Sequence, residues 1–170
     1  MKINKILLFT IMLQVLILNA CKPSYKSPLE SPAVTKASED TPYKFDFEQM
    51  EEDVGTDIQS AGIYGFINDF NLTGDNDAQK IIVNFDIEDN VSDSAIEILL
   101  TDTMRFIVDE ANTQDFRIDG YTNEDFGNLC NIFGVNLIVK SGDKLITEYN
   151  IEKGDSVPFD PTLTIENITG

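Results

Sequence analysis

The sequence predicts an α/β (α+β) domain, a two-layer sandwich in which two or three helices cover one face of a mixed sheet of about five strands. Two observations lead to this prediction. Apolar residues recur at helical spacing in some segments and at alternate positions in others. The two kinds of segment alternate along the chain, which is typical of helices packed on a sheet.

The N-terminus has the pattern of a bacterial lipoprotein signal peptide. A positively charged start precedes an apolar run ending at Leu18, and Ala20 stands directly before Cys21. The run is too short to span a bilayer comfortably. We expect residues 1–20 to be removed and Cys21 to carry a diacylglycerol and an N-acyl lipid. An ordinary secretory signal cleaved after Ala20 is the alternative.

Residues 21–42 are predicted to be the lipidated cysteine and a disordered linker, because they are rich in Ser, Pro and Lys and lack apolar periodicity. Such a linker would reach roughly 25 to 65 Å from a membrane. Lys22 follows the cysteine, where an Asp would resemble an inner-membrane retention signal. We therefore expect an anchor in the bacterial outer membrane, on its periplasmic face or at the cell surface.

A single acidic domain is predicted for residues 43–170, because the length suits one core and not two. Apolar residues that recur from Met50 onwards at helical spacing predict a helix over 46–60. The stretch 61–72 mixes aromatic and β-branched residues with two glycines, and the sequence leaves it open between a strand and a helix end.

The clearest strand is predicted over 81–87, where apolar residues alternate at period two. After an acidic turn, Ser94 and Glu97 have the spacing of a capping box. They predict the start of a helix over 95–111, because apolar residues gather on one half of the helical wheel there. The remaining predictions are a strand over 116–121, a short helix over 126–133 ending at Gly134, a hairpin of strands over 135–140 and 144–151, and a last strand over 163–168.

The formal charge of −18 excludes binding to nucleic acid or acidic lipid headgroups by charge. Loss of the signal peptide would remove two lysines and change this charge from −18 to −20. So acidic a chain favours basic partners or divalent cations. The absence of His also removes the commonest general base and the commonest neutral metal ligand.

No catalytic residue, cofactor or metal site is predicted. Cys130 stands in a partly apolar context and is interpreted as a core residue, since no His is present to activate it. Two acidic clusters are weak candidates for calcium ligands, but neither matches an EF-hand loop and solvated loops are the simpler interpretation. Their members are Asp75 and Asp77 in one cluster, and Asp86, Glu88, Asp89 and Asp93 in the other.

The order of elements over roughly residues 46–168 resembles a group of bacterial envelope domains. The segments that carry the resemblance are KIIVNFDIED, SAIEILLTDTMRFIVDEA, DFRIDGY and FGVNLIVKSG, of which Gly134–Val139 is the most specific. The group includes the TolB N-terminal domain, the penicillin-binding-protein activator LpoB, and the lipoproteins CsgG and FlgO. The resemblance implies a docking or assembly module. The linker is short for an activator that crosses the cell wall, and no segment resembles the pore-forming strands of CsgG.

Together these observations predict a non-enzymatic, lipid-anchored adaptor or activator that binds another envelope protein. Three alternatives stay open. They are a structural subunit of a secretion or export assembly, a cation-binding surface lipoprotein and a carboxylate-based hydrolase, for which no pair of acids can be chosen from the sequence.

Overall fold

The structure is a computed structural model that describes residues 41–166, and it confirms the α/β class. Two helices cover one face of a mixed sheet, which has four strands where about five were predicted. The elements in chain order are helix α1 (Phe47–Ala61), strand β1 (Ile67–Asp75), strand β2 (Lys80–Ile87), helix α2 (Asp93–Gln114), a 3-10 turn (Leu129–Asn131), strand β3 (Gly134–Ser141) and strand β4 (Lys144–Ile151).

The strands lie in the order β1-β2-β3-β4. β1 and β2 are antiparallel, β2 and β3 are parallel, and β3 and β4 are antiparallel. A parallel pair needs a crossover connection, and α2 provides it. The predicted alternation of β2 is confirmed, since Ile81, Val83, Phe85 and Ile87 are buried while the residues between them are half-buried. The buried positions face the helices, and we call the other side of the sheet the open face.

Helix α1 forms where the sequence predicted a helix. Asp46 caps its start by accepting a hydrogen bond from the amide of Gln49, and Gly62 ends it in a left-handed conformation with φ of 70°. Met50, Val54 and Ile58, spaced four residues apart, are buried. The open question about residues 61–72 is also answered, because the helix ends at Ala61 and β1 begins at Ile67.

Helix α2 is longer than predicted and has a different cap. The cap is Ser92, whose side chain accepts from the amide of Ala95, so the helix begins at Asp93 and the expected cap Ser94 lies inside its first turn. The hairpin of β3 and β4 is confirmed. Its tight turn places Gly142 at a φ of 58°, a left-handed conformation that glycine adopts without steric cost.

The predicted strand over 116–121 is wrong. Only Ile118 is fully buried, and Phe116 keeps 78% of its surface exposed, so the apparent alternation does not mark an inward face. Asparagine side chains donate hydrogen bonds to backbone carbonyl groups that would pair with a neighbouring strand in a sheet. The side-chain amide of Asn128 donates to the carbonyl of Arg117 at 3.0 Å, and Asn112 donates to that of Ile118.

The short helix predicted over 126–133 is reduced to the 3-10 turn at Leu129–Asn131. Gly127 explains the difference, because its φ is 66° and a Cβ at that position would overlap the carbonyl oxygen of Asp119. A left-handed residue held against another segment prevents a helix from starting there.

The strand predicted over 163–168 is also wrong for its described part. Residues 163–166 contain no strand. The guanidinium of Arg105 on α2 donates to the carbonyl oxygens of Pro161 and Leu163 at 2.7 and 2.8 Å. These contacts hold the segment beside α2, and no fifth strand forms there.

Candidate functional site

The predicted lipid attachment at Cys21, the cleavage site at Ala20 and nearly all of the predicted linker lie outside the described residues. Within residues 41–166, no helix is long and apolar enough to cross a membrane. The first described residues are held against the domain. The carbonyl of Thr41 accepts from Arg117 at 2.6 Å, and the Arg117 guanidinium lies 3.9 Å from the ring centroid of Tyr43.

The six weak calcium candidates are divided between the two ends of β2. Asp75 closes the β1–β2 turn by accepting from the amides of Asp77 and Ala78 at 2.8 and 2.9 Å. At the other end, Asp86 accepts from the amide of Gly142 at 2.7 Å. An eight-residue strand separates the two ends by about 25 Å. The two clusters therefore cannot act as one site.

Two members of the second acidic cluster accept hydrogen bonds from the β3–β4 hairpin. Asp89 accepts from the hydroxyl of Ser141 at 2.6 Å, next to the contact between Asp86 and Gly142. Glu88 is exposed, and Asp93 lies in the first turn of α2. Within residues 41–166, no group of three or more His, Cys, Asp or Glu residues is arranged to hold a metal ion.

Cys130 lies in the core, as its sequence context indicated. Its side chain is buried beside Leu129, and burial raises the pKa of the thiol to about 11. A thiol with this pKa is protonated at neutral pH and is a poor nucleophile.

The most distinctive charged element is α1. It carries Glu48, Glu51, Glu52, Asp53 and Asp57 and no Lys, Arg or His. Its acidic surface continues onto α2, where burial and the neighbouring carboxylate of Asp57 raise the pKa of Asp109. Like charges on two packed helices repel each other, so this arrangement is unfavourable for the isolated domain.

A groove of about 710 Å³ separates the second half of α1 from the first half of β1. We call it the α1–β1 groove. Its apolar lining comes from Ile58, Ile67 and Phe70, and its acidic lining comes from Glu51, Glu52 and Asp69. No Lys or Arg lines it. The groove therefore combines an apolar surface with uncompensated negative charge beside the edge of the sheet.

Two contacts from α1 cover the rest of the β1 edge. Glu51 accepts from the backbone amide of Leu72 at 3.1 Å and from the side chain of Asn71 at 2.8 Å. Further along, the ring of Phe47 occupies the space beside Gly74, where a Cβ would overlap it. The groove begins where this cover ends.

A polar network lies behind the groove and ties it to the C-terminal segment. Tyr64, which lines the groove, donates its hydroxyl to Asp102 on α2, and Asp102 pairs with Arg105. Burial, and then the hydrogen bond to Asp102, raise the pKa of the Tyr64 phenol well above its usual range. The phenol thus stays neutral and acts as a hydrogen-bond donor, not as a base.

The acidic polar face of α1 is apparent from the sequence, but the groove is not. Finding it requires the position of β1, and the sequence left the start of that strand open. Comparisons with family models, curated proteins and solved structures give no match to this chain, so its resemblance to the TolB, LpoB and CsgG group stays a prediction.

Proposed function

We propose that this protein is a lipid-anchored, non-enzymatic adaptor or activator of the bacterial cell envelope, and that it binds another envelope protein through the α1–β1 groove. The observation that carries the proposal is the acidic helix α1, which has no basic residue and borders an open groove. A basic partner would offset the repulsion between the acids of α1 and α2, and opposite charges would speed its encounter with the domain.

Site-specific photo-crosslinking in the native host tests this role. A photoreactive residue replaces exposed Gln59 in the groove, and the matched control replaces exposed Thr73 on the open face of β1. We expect one dominant partner at Gln59 that is absent at Thr73 and lost when Glu52 is changed to Lys. The same capture at both positions, or none at either, would contradict the adaptor role.

The lipid anchor has its own test. Cys21→Ala, secreted with an ordinary cleavable signal in place of residues 1–20, should move the protein from the membrane fraction to the soluble fraction, because the acyl chains that hold it, at about 0.8 kcal/mol for each buried methylene, are then never added. Mass spectrometry of the N-terminal peptide should show a lipid on the wild-type cysteine. An unmodified Cys21 in the mature protein would show that the signal is an ordinary secretory one.

A further inference from the structure

We propose that the α1–β1 groove binds an extended, lysine- or arginine-bearing segment of the partner protein, which adds to β1 as a further strand. This inference rests on the proposed function and names the form of the partner. Strand addition needs three things: a free strand edge, room beside it and side chains that suit the groove.

The free edge lies in the first half of β1. Neighbouring residues of an antiparallel strand direct their backbone groups alternately to the two sides. Leu72 directs its amide away from β2, towards Glu51, and Phe70 therefore directs its amide and carbonyl to the same outer side. Glu51 covers the edge at Leu72 and Phe47 packs over Gly74 on the helix side of the sheet, whereas Phe70 lines the groove.

The groove gives such a segment the surroundings it needs. α1 forms its far wall, and the half-buried side chains of Ile67 and Phe70 form its apolar lining. An extended segment alternates its side chains, so one set would contact this lining while the other points outwards. Long basic side chains suit both positions, because their methylene stems pack on apolar surface while their charged ends reach carboxylates.

Charge identifies the segment as basic. Glu52 and Asp69 line the groove and have no ion-pair partner among residues 41–166. A second copy of this chain would bring its own acidic β1 edge into the groove and add repulsion. A lysine- or arginine-bearing segment pairs with these carboxylates instead.

The other edge of the sheet is less suited to this partner. β4 carries Lys144 at its start and is followed by Lys153, and these positive charges would repel a lysine- or arginine-bearing segment. The shift in register between Ile67 and Asp69 in β1 has a counterpart in the pairing of β3 with β4, so charge is the feature that distinguishes the two edges.

A peptide experiment tests strand addition directly. The protein is the chain from residue 21 onwards with Cys21→Ala, and the probe is a blocked seven-residue peptide of alternating Lys and Val. The matched probe has the same sequence with methyl groups on alternate backbone nitrogens, which removes hydrogen bonds along one edge and keeps the charge. Calorimetry measures affinity, and hydrogen exchange follows the Phe70 amide.

We expect saturable binding of the unmethylated peptide together with slower exchange at Phe70. Methylation should weaken binding by about tenfold or more, because backbone hydrogen bonds supply part of the affinity. Glu52→Lys combined with Asp69→Lys should weaken it similarly. The control pair Asp77→Lys and Asp155→Lys makes the same change of charge at exposed positions beyond the other end of the sheet and should leave affinity within about twofold.

Other outcomes overturn the inference in distinguishable ways. Equal binding of both peptides would show charge-driven docking without strand addition, and capture at Gln59 in cells would then still support the proposed function. If the groove pair and the control pair of lysine substitutions weakened peptide binding equally, the peptide would not bind in the groove. Protection of Phe70 without peptide would mean that the edge is already occupied, by a second copy if the protection depends on concentration and by the chain's own residues if it does not.

Discussion

The two edge strands are covered in different ways. Helix α1, which precedes β1 in the chain, covers its C-terminal half through Phe47 at Gly74 and Glu51 at Leu72. β4 is covered on its helix side by the irregular segment that follows it. There the ring of Phe159 lies 4.9 Å from that of Tyr149.

The difference shows that one edge strand is covered by an adjacent element of the chain and the other by contacts between distant segments. The cover of β1 comes from the helix that directly precedes it, through the packing of Phe47 and the hydrogen bond to Glu51, and it leaves a gap that forms the groove. The cover of β4 depends on Arg105, which lies more than 50 residues before the carbonyl groups of Pro161 and Leu163 that it holds. Breaking each kind of contact should therefore affect a different edge.

The largest effect is expected from Arg105→Met. This change leaves Asp102 partly buried without its cation and releases both carbonyl groups of the C-terminal segment. We expect a loss of about 3 kcal/mol in the free energy of unfolding, at the low end for breaking a buried pair because both side chains keep some solvent contact. Urea denaturation measures this loss, and limited proteolysis should show new cleavage within residues 155–166.

Arg105→Lys is the matched control, because lysine keeps the charge but lacks the planar fork that reaches several acceptors. It should cost less stability than Met and still expose the C-terminal segment more than wild type. The amide of Leu72, which exchanges through local opening of its contact with Glu51, should exchange at the same rate in both variants. Faster exchange at Leu72 would show that the two covers are coupled and would contradict the comparison.

Packing at the β1 edge is tested by Gly74→Ala. The added methyl group overlaps the Phe47 ring, and we expect a loss of about 1–3 kcal/mol, the usual cost of overpacking. Gly65→Ala is the control, since open space surrounds that position, and its effect should stay within about 0.5 kcal/mol. Phe47→Leu in the Gly74→Ala protein should recover part of the loss. Equal effects at both glycines would show that Phe47 moves aside freely.

The polar contact at the same edge should contribute less. Glu51→Ala removes the acceptor of the Leu72 amide, and a loss of about 1 kcal/mol is expected for one hydrogen bond of this kind. Hydrogen exchange at Leu72 should become faster. Glu148→Ala on β4 removes an acceptor of the Asn136 side chain only, and it should leave backbone exchange in β4 unchanged. Unchanged exchange at Leu72 would mean that Glu51 does not protect the edge.

The parts of the fold that the sequence predicted are those with strong periodicity. β2 alternates without interruption, and the β3–β4 hairpin has a turn that glycine favours. β1 was left open because it is an edge strand with weak contrast, in which only Leu72 is fully buried. Residues 163–166, the described part of the strand expected over 163–168, form no strand, and Arg105 on α2 donates a hydrogen bond to the carbonyl of Leu163 there. Periodicity alone carries no information on such a contact.

The site could be predicted only in part. The lack of basic residues in α1 is visible in the sequence, and so is the total charge. The groove is not, because it depends on where α1 stops covering β1, and the last contact before the groove is that between Glu51 and Leu72. Asp86 and Asp89 look like cation ligands in the sequence but accept hydrogen bonds from the neighbouring hairpin. The sequence alone does not distinguish a carboxylate that accepts a hydrogen bond within the domain from one that is free to bind a partner.

Acidic residues at the two edges should respond to pH with opposite signs. Burial and then the charge of Asp57 raise the pKa of Asp109, on the α1 side, above its ordinary 3.8. Ionised Asp109 therefore disfavours the folded state, and this penalty grows as the pH rises from 3.8 through the raised pKa. Hydrogen bonds from the hydroxyl and then the amide of Thr162 lower the pKa of Asp160, on the β4 side. Its contribution is present above pH 3.8 and is lost as the pH falls through the lowered pKa.

The substitutions Asp109→Asn and Asp160→Asn separate these two effects. Their changes in stability are expected to be the smallest among the variants described. At pH 7, Asp109→Asn should raise the midpoint of urea unfolding because it removes the like charge beside Asp57, whereas Asp160→Asn should lower it. At pH 3, Asp109 is neutral in the folded protein, so the gain from Asp109→Asn should shrink. Asp160 takes up a proton in the unfolded chain below its ordinary pKa of 3.8, and this should shrink the other difference as well. An unchanged or lowered midpoint for Asp109→Asn at pH 7 would show that the acids of α1 and α2 do not repel each other appreciably, and a basic partner would then gain little from neutralising them.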